Sequence, residues 1–515
     1  SAQEIATAVG GTLLGTAAQA PSSITCTFAT TDSRDVTANT LFLAKPGEVT
    51  DGHNFLPQAF AAGATLALVE REITDDKGET FPSMGRLAAY IVERLRADGE
   101  ITVVGITGSA GKTTTKDLLA AIFSAQGKTV APVGSFNGEV GVPLTVFRAE
   151  ADTRYLVIEM GADRVGNIRY LTDMISPDYG VVLKVGTAHA GEFGGVDNIE
   201  LTKGEMAEGV RSGLALNIDD YRVRRMINRA STPVTYFGVA GQEAEVTTSA
   251  NPGVPEERIV AENLTTDEAG CPVFTLVFPQ GQSFEVHSKL IGEHHVYNLL
   301  AAATLAYKSG IDPADIVHEM NAAQATSKWR MQRTNRADGV TVINDAYNAN
   351  PESMTAALQT LAQLGRLPST NRTWAVLGAM LELGEQSLQE HDRIGQLAVR
   401  LNISKLIAVG DIAKPIYNTA HLEGSWGNEA TWVATPEEAF DLLKGEVEAG
   451  DIVLFKSSNG AGLGKLGQQV ADYEADLTVA ESGTAAWLSA GDFVGAINSD
   501  KTNEAGMTGS NPSHP

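Results

Sequence analysis

The chain has 515 residues, of which 43% are hydrophobic and 20% are charged, a globular mixture that suits about three domains. Its formal net charge of −25 argues against a nucleic-acid or anionic-membrane binder, because phosphate polymers attract basic faces. The two cysteines, Cys26 and Cys271, exclude a disulfide framework. There is no apolar run of about 18 residues and no basic signal-like start, so a cytoplasmic protein is predicted.

The first two regions of the chain differ in their pattern of strands and helices. Residues 1–100 contain the strand patterns TLFLAKPG and ATLALVERE and the helical pattern AAYIVERLRADGE, which predict a mixed α/β domain. Residues 101–325 begin with the buried strand ITVVGITG, the helix KTTTKDLLAAIFSAQG and the further strands YLVIEMG and YGVVLKVG. This alternation is typical of a parallel sheet with helices on both faces.

The end of the second region and the third region complete the predicted architecture. From Thr232 to Ile291 the pattern is strand-rich, with an antiparallel hairpin around Pro279 and Gly281, and VYNLLAAATLAYKSG then predicts a buried helix. In residues 326–475 the strands GVTVINDAY, TWAVLGAM, KLIAVGD and DIVLFKSS indicate a second, Rossmann-like α/β domain. The remaining residues, 476–515, are rich in small polar and acidic residues and predict a flexible acidic tail.

The strongest chemical motif is GITGSAGKTTT, which lies between a predicted buried strand and a helix. In a phosphate loop Gly108 and Gly111 let backbone N–H groups approach phosphate oxygens, and the helix N-terminus adds positive charge. Lys112 would reach the β- and γ-phosphates, Thr113 would bind Mg²⁺, and Thr114 continues the motif. The spacing departs from the strict pattern at Ile106, and the alternative is a glycine-rich turn without a ligand.

Other polar residues follow predicted strands. Glu159 ends the strand YLVIE, where a carboxylate can face a nucleotide-bound metal ion or simply cap a neighbouring helix. His189 follows a third buried strand, and Lys203 would ordinarily be a solvated lysine. Asp345 closes VTVIND and opens DAYNANPESM, in which Asn350 is predicted as the N-cap of the next helix. The density of polar residues there favours a site over a plain loop.

The ordered set TGSAGKTTT, YLVIEMG, GTAHAGEF, TKGEM, GEHHVYNLLAA, KWRMQR and NDAYNANPESM resembles the Mur ligases of peptidoglycan synthesis. The segment TDSRDVTANTLFLAKPGEVTDGHNF is similar to the uridine-nucleotide domain of that family. The resemblance covers about residues 1–475. It implies domains for the UDP-linked substrate (1–100), for ATP (101–325) and for the incoming amine (326–475).

The resemblance also implies ATP and two Mg²⁺ ions in the central site. It assigns Lys112 and Thr113 to phosphate and metal binding, and it makes Glu159 and His189 metal ligands. Lys203 matches a lysine that is carbamylated in the family, which turns an ammonium into an anionic oxygen ligand for a hard cation. Lys112, His189 and Lys203 are therefore the expected catalytic residues.

Further contacts are carried over position by position. ATP contacts are implied for Asn137, Asn298, Arg330 and Asp345, with Asn298 against adenine. The uridine-binding region is implied to contain Ser33, Arg34, Asp51 and His53. Asn348 and Asn350 are expected to border the pocket of the incoming dipeptide.

Two segments depart from the family's pattern. FKSSNG stands where Lys-Gly-Ser-Arg is usual, so Ser457 and Asn459 replace the glycine and the arginine, which leaves the role of Lys456 open. In GEHHVYN the motif match is His294, and His295 stands where asparagine is common.

The form DAYNANPESM resembles the branch of the family that adds D-alanyl-D-alanine to UDP-N-acetylmuramoyl-tripeptide through an acyl phosphate. Other branches that add a single amino acid, and folylpolyglutamate synthase, are the nearest alternatives, but the Asp-Asn-Pro-Arg typical of the diamino-acid enzymes is absent. A nucleotide switch or motor is an alternative of a different class. A monomer that binds only small molecules is expected.

Overall fold

The computed structural model describes residues 1–13, 16–45, 50–69, 81–186, 193–243, 257–424 and 429–473. Within Ser1–Asp472, which is one unit by its internal contacts, the described residues form three β-sheets. The predicted tail and His189 lie outside the described residues. Among the helices of the described part, none is both long and apolar enough to cross a membrane.

The first sheet is a small parallel sheet in the order β1–β2–β3. Its strands and the neighbouring helices are β1 (Phe28–Thr30), β2 (Thr40–Leu43), β3 (Ala64–Leu68), α1 (Ala2–Val9), α2 (Thr16–Gln19), α3 (Leu56–Ala62) and α4 (Phe81–Asp98), with a 3-10 helix at Gly52–Phe55. Side chains alternate along β2, so that Leu41 and Leu43 face one apolar cluster and Phe42 faces another. This arrangement matches the predicted mixed α/β region.

The central sheet has the strand order β12-β11-β10-β9-β8-β7-β4-β6-β5. Its strands are β4 (Thr102–Thr107), β5 (Thr129–Val130), β6 (Tyr155–Glu159), β7 (Tyr179–Val182), β8 (Gly213–Asn217), β9 (Val234–Val239), β10 (Glu257–Thr266), β11 (Pro272–Val277) and β12 (Ser283–His287). Its helices are α5 (Lys112–Ser124), α6 (Gly141–Val146), α7 (Asn167–Ile175), α8 (Val196–Lys203), α9 (Glu205–Gly209), α10 (Tyr221–Arg224), α11 (His295–Lys308) and α12 (Pro313–Ala322), with 3-10 helices at Arg225–Arg229 and Pro279–Gly281.

Both faces of the sheet are buried along β4, β6, β7, β8 and β9, which explains the nearly continuous apolar sequences of these strands. Val104 and Ile106 of β4 pack in the cluster that contains α5 and α11, whereas Val103 packs in the cluster that contains α4 and α7. The strands from β5 to β10 are parallel, and β11 pairs antiparallel with both β10 and β12. The predicted hairpin around Pro279 and Gly281 is therefore confirmed.

The third sheet has the order β13-β14-β18-β15-β16-β17, and only β13 is antiparallel to its neighbour among these described strands. The strands are β13 (Gln332–Asn335), β14 (Thr341–Asn344), β15 (Thr373–Leu377), β16 (Lys405–Val409), β17 (Ala430–Val433) and β18 (Ile452–Lys456). The helices are α13 (Pro351–Leu364), α14 (Ser387–Arg400), α15 (Lys414–Glu423), α16 (Pro436–Glu446) and α17 (Leu463–Ala471), with 3-10 helices at Gly384–Gln386 and Asn459–Ala461.

The predicted fold class is confirmed as a three-domain α/β architecture with a parallel central sheet and a β-rich extension. The boundaries drawn after residues 100, 325 and 475 stay predictions. Parallel strands bring their carboxyl ends to one edge of a sheet, and that edge is where open α/β sheets bind ligands. The carboxyl ends of β4, β6, β7 and β8 therefore define where a site is expected.

Candidate active site

A cavity of about 1100 Å³ opens at the carboxyl edge of the central sheet. Its wall includes the loop after β4, the ends of β6 and β8, the start of α11 and the loop after β14. Lys45, which follows β2, also lines it. Residues from all three sheet regions thus face one enclosed space, although they are distant in sequence.

The predicted phosphate loop forms one side of this cavity. Gly108 and Gly111 have φ angles of +153° and +86°, and a Cβ at Gly111 would lie 2.2 Å from Asn298 Oδ1. Lys112, the first residue of α5, donates from Nζ to the Gly108 carbonyl at 2.9 Å, and Thr114 also lines the cavity. The loop therefore places backbone N–H groups, a helix N-terminus and a lysine where anions bind.

Glu159 is almost fully buried, with 1% of its surface exposed, at the end of β6. Its Oε2 accepts a hydrogen bond from Thr113 Oγ1 at 3.1 Å, and its Oε1 accepts one from Asn137 Nδ2 at 2.9 Å. Both donors are neutral side chains that line the same cavity as Glu159, which favours a metal-facing carboxylate over a helix cap. Burial lowers the pKa of Lys112; the Glu159 carboxylate works against that shift, and Arg330 adds to it.

Lys203 ends α8 and is 4% exposed, which is not the solvated lysine that sequence spacing alone suggests. Its Nζ lies 5.9 Å from the centre of the Phe193 ring and faces the same cavity as Lys112. Burial lowers the pKa of Lys203 to about 7, and the Lys112 charge contributes, whereas Glu205 and Asp163 oppose the shift. A large fraction of this amine is therefore neutral near neutral pH.

Asn298 is buried beside the loop, one turn into α11. Its Oδ1 accepts from Thr115 Oγ1 at 3.4 Å, and its Nδ2 lies 2.9 Å from His295 Nδ1. The His295 ring packs against that of His294, with centroids 4.2 Å apart. His295 is thus in direct contact with Asn298, the predicted adenine-binding residue. The only signal for His295 in the sequence is its departure from the family pattern.

Arg330 reaches the phosphate loop from the third region. One of its terminal nitrogens donates to Thr113 Oγ1 at 3.3 Å, and its guanidinium stacks on Tyr347 at 4.5 Å from the ring centre. The carboxylate of Asp345 accepts from Met331 N at 3.0 Å. Sequence reasoning did not single out Tyr347, although it lies within the DAYNANP block.

The cation that pairs with Asp345 is Lys456, at the carboxyl end of β18. Its Nζ lies 2.6 Å from Asp345 Oδ2, and it also donates to the carbonyl of Asn348 at 2.9 Å. The side chain of Asn348 is exposed in the cavity wall. Asn350 also lines the cavity, but its Oδ1 accepts from Ser353 N at 2.8 Å, which confirms the predicted N-cap.

The residues predicted for uridine binding lie apart from the lining of this cavity. Arg34 pairs with Asp32 at 2.5 Å and is largely exposed, and Ser33 adjoins it. His53 is buried and its Nδ1 lies 2.7 Å from Asp51 Oδ1. Lys45 is the residue of this region that lines the cavity, and its only signal in the sequence is its position at the end of a strand.

Family models match most of the chain. The models described as "Mur ligase family, catalytic domain", "Mur ligase middle domain" and "Mur ligase, glutamate ligase domain" match residues 25–99, 106–306 and 329–459. A relative from Mycobacterium tuberculosis (strain ATCC 25618 / H37Rv) is 42% identical over 473 residues, which cover 84% of this chain and 90% of the relative. The chain belongs to the Mur ligase family.

Two curated relatives of this chain carry the same name. The M. tuberculosis relative is named UDP-N-acetylmuramoyl-tripeptide–D-alanyl-D-alanine ligase. So is an Escherichia coli (strain K12) relative, which is 32% identical over 75% of this chain and 82% of its own length.

Solved structures agree with this relationship. MurF from Acinetobacter baumannii superimposes with a TM-score of 0.76 at 30% identity, covering 92% of this Mur ligase and 99% of that chain. MurF from Thermotoga maritima in complex with ADP has a TM-score of 0.70 at 25% identity, covering 86% and 97%.

Proposed function

We propose that this Mur ligase joins D-alanyl-D-alanine to UDP-N-acetylmuramoyl-tripeptide and forms the UDP-linked pentapeptide of peptidoglycan synthesis. ATP drives the reaction and is converted to ADP and phosphate. The observation that carries the proposal is a single cavity that holds the phosphate loop, the buried Lys203 and the DAYNANP loop. Relatives that are 42% identical and named for this reaction support it. We place the enzyme in the cytoplasm as a monomer.

The chemical difficulty is that a carboxylate is a poor electrophile and oxide is a poor leaving group. In the proposed reaction the tripeptide carboxylate attacks the γ-phosphorus of ATP, the bond from that phosphorus to the ADP oxygen breaks, and an acyl phosphate forms. The dipeptide amine then attacks the acyl carbon, loses a proton, and phosphate departs. Lys112, Arg330 and the N–H groups of the loop lower the cost of negative charge on the transferring group.

The donor set of the cavity fits Mg²⁺. The Thr113 hydroxyl and the buried Glu159 carboxylate are hard oxygen donors 3.1 Å apart, which is the type of ligand Mg²⁺ prefers. A bound Mg²⁺ would supply positive charge that offsets the negative charge of the phosphates. Among the described residues no group of three or more His, Cys, Asp and Glu side chains gathers into a metal site, and the predicted ligand His189 lies outside them.

Lys203 supplies a further oxygen donor if its amine is carbamylated. Only a neutral amine reacts with CO₂, and burial gives Lys203 a pKa of about 7, so the neutral form is abundant at neutral pH. The product carries a negative charge, which the neighbouring Lys112 would stabilise. The proposed roles of Asn298 at adenine, of Asn348 and Asn350 at the dipeptide, and of Ser33, Arg34, Asp51 and His53 at uridine remain assignments by family position.

Release of ADP by the purified enzyme tests the function. ADP should form rapidly only when the UDP-tripeptide and D-alanyl-D-alanine are both present, and ¹⁸O from the tripeptide carboxylate should appear in phosphate. A panel of single amino acids should not replace the dipeptide. Turnover with D-glutamate or a diamino acid would favour another Mur ligase, whereas ADP release without any amine would favour a switch.

The carbamate is tested separately by Lys203→Ala. The variant should lose turnover and should regain part of it when a short carboxylic acid is added, because the acid supplies the missing oxygen ligand. Lys203→Ala at wild-type rates would reject the carbamate and leave the ligase reaction standing.

A further inference from the structure

We infer that Lys456 is a positioning residue that acts through Asp345 to hold Arg330 against the phosphate loop. The inference deepens the proposed function and rests on it, because Arg330 matters there as a phosphate-facing cation. Sequence reasoning left Lys456 without a role, since the residues after it depart from the family pattern. Its contacts in the fold supply one.

The first observation is the unusual backbone around Arg330. Trp329 and Met331, the residues on either side, have φ angles of +58° and +49°, a left-handed region that bulky residues rarely occupy. Such a conformation persists only where surrounding contacts hold it. With this backbone conformation, the Arg330 side chain reaches Thr113 Oγ1, which is 217 residues earlier in the chain.

The second observation is what holds this backbone. The Met331 N–H donates to Asp345 Oδ1 at 3.0 Å, and the Tyr347 N–H donates to the Trp329 carbonyl at 3.2 Å. The loop that begins at Asp345 therefore forms a hydrogen bond with each of the two residues of positive φ, Trp329 and Met331. The Tyr347 ring from the same loop supports the Arg330 guanidinium.

The third observation is that Lys456 fixes this loop. Its side chain is 2% exposed, and its ammonium donates to Asp345 Oδ2 at 2.6 Å and to the carbonyls of Asp345 at 3.3 Å and Asn348 at 2.9 Å. A buried ammonium with three acceptors on one loop sets the position of that loop. Among the described residues, none accepts a hydrogen bond from the buried Nε of Arg330.

A double-mutant cycle on the full-length enzyme tests the inference. We expect Lys456→Met to lower kcat for ADP release about 100-fold, as expected for a displaced catalytic group. Arg330→Met should have a similar or larger effect. In the Arg330→Met background, Lys456→Met should change kcat less than twofold, because the group it positions is already absent. If the double variant lost kcat by the product of the two single-variant factors, Lys456 would act independently of Arg330, and the inference would be overturned.

The matched control is Arg372→Met. Arg372 pairs with the buried Asp451 at 2.7 Å, and Asp451 precedes β18 at the end opposite Lys456. This variant should lower the melting temperature and leave kcat within twofold. A similar loss of kcat in Arg372→Met would mean that any broken ion pair in this sheet has the effect, and would also overturn the inference.

A crystal structure of nucleotide-free Lys456→Met gives a readout that does not depend on turnover. We expect Arg330 to leave hydrogen-bond distance of Thr113 and Met331 to return to negative φ; retention of both features would reject the positioning role. If Lys456→Met does not fold, Lys456→Gln, which keeps a polar group without the charge, replaces it in both tests. Failure of the wild type to release ADP with both substrates would reject the proposed function, while this structure would still decide the role of Lys456.

Discussion

The Nδ2 of Asn298 donates a hydrogen bond to His295 Nδ1 at 2.9 Å inside the protein. The direction follows from charge: burial, with further contributions from His294 and Arg330, holds the pKa of His295 well below its usual range, so the ring is neutral and can accept. The Asn298 Oδ1 is meanwhile turned toward Thr115 and the loop at Gly111. His295 thus fixes the orientation of the amide proposed to meet adenine.

We predict that His295→Leu raises the KM for ATP about 3- to 10-fold with little change in kcat, the effect of one lost hydrogen bond. His295→Asn, which restores an acceptor and the residue common in the family, should keep the KM close to that of the wild type. Steady-state kinetics with ATP varied check this, together with melting curves. Equal KM values for the two variants would show that the hydrogen bond does not orient Asn298.

Lys203 gives a prediction for stability against pH. Its pKa is about 7 in the folded protein and near 10.5 in the unfolded chain, so the unfolded chain binds more protons between these values. Stability from this residue is therefore lowest below pH 7 and rises as pH increases toward 10.5. Lys203→Met should be more stable than the wild type at pH 6 by about 4 kcal/mol, an advantage that shrinks with pH.

Denaturant unfolding of the two proteins at several pH values measures this difference. Divalent cations and CO₂ must be removed, since a carbamate would change the charge of Lys203. The other titrating groups are common to both proteins and cancel in the difference. A stability difference that stays constant from pH 6 to pH 10 would contradict a lowered pKa for Lys203.

Glu159 lies at the carboxyl end of β6, whereas Asp178 lies just before the amino end of β7. The two carboxylates can therefore be compared as a site residue and a structural control. Asp178 precedes β7 and accepts from Val103 N at 2.8 Å and from Arg96 at 3.2 Å, which is a structural role. We predict that Glu159→Gln lowers kcat about 100-fold and weakens the apparent affinity for Mg²⁺, because the carboxylate beside Thr113 of the phosphate loop is lost.

Asp178→Asn should instead lower the melting temperature and leave the Mg²⁺ dependence unchanged. Titration of turnover with Mg²⁺ for both variants checks the pair, and an excess of chelator should stop the wild type. A Glu159→Gln enzyme with the Mg²⁺ dependence of the wild type would remove Glu159 from the metal site.

Replacement of glycine by alanine should have opposite effects at Gly111 and Gly445. A Cβ at Gly111 would lie 2.2 Å from Asn298 Oδ1 on backbone with φ of +86°, whereas a Cβ at Gly445, inside α16, would have nothing within 4 Å. Gly111→Ala should abolish measurable ATP binding in calorimetry. Gly445→Ala should keep ATP binding and raise stability by about 0.5–1 kcal/mol, since alanine favours a helix. Normal ATP binding by Gly111→Ala would contradict the assigned loop geometry.

Many of the strands and helices could be predicted from the sequence because their apolar residues follow a local pattern. The sequences that become β4, β6 and β18 are mostly apolar, and the GKT triplet of the phosphate loop follows β4 after only Gly108, Ser109 and Ala110. The strand β5 is only two residues long, and its pairing with β6 depends on the rest of the sheet. Short strands of this kind carry no periodic signal.

The candidate site divides in the same way. The phosphate-loop motif indicated Lys112, and polar residues at the ends of strands indicated Glu159 and Asp345, because ligands of open α/β sheets bind beyond the carboxyl ends of the strands. The surroundings of Glu159, which separate a metal-facing carboxylate from a helix cap, come from Thr113 and Asn137 in other loops.

By itself, the order of residues in this protein determined the elements, the phosphate loop and the family, because those depend on neighbours within a few turns of chain. Only the tertiary structure decided that Lys203 is desolvated and that Lys456 meets Asp345 across 111 residues. The physical reason is that burial and the nearest charge depend on which distant segments pack around a residue, and those two quantities set its pKa and its partners.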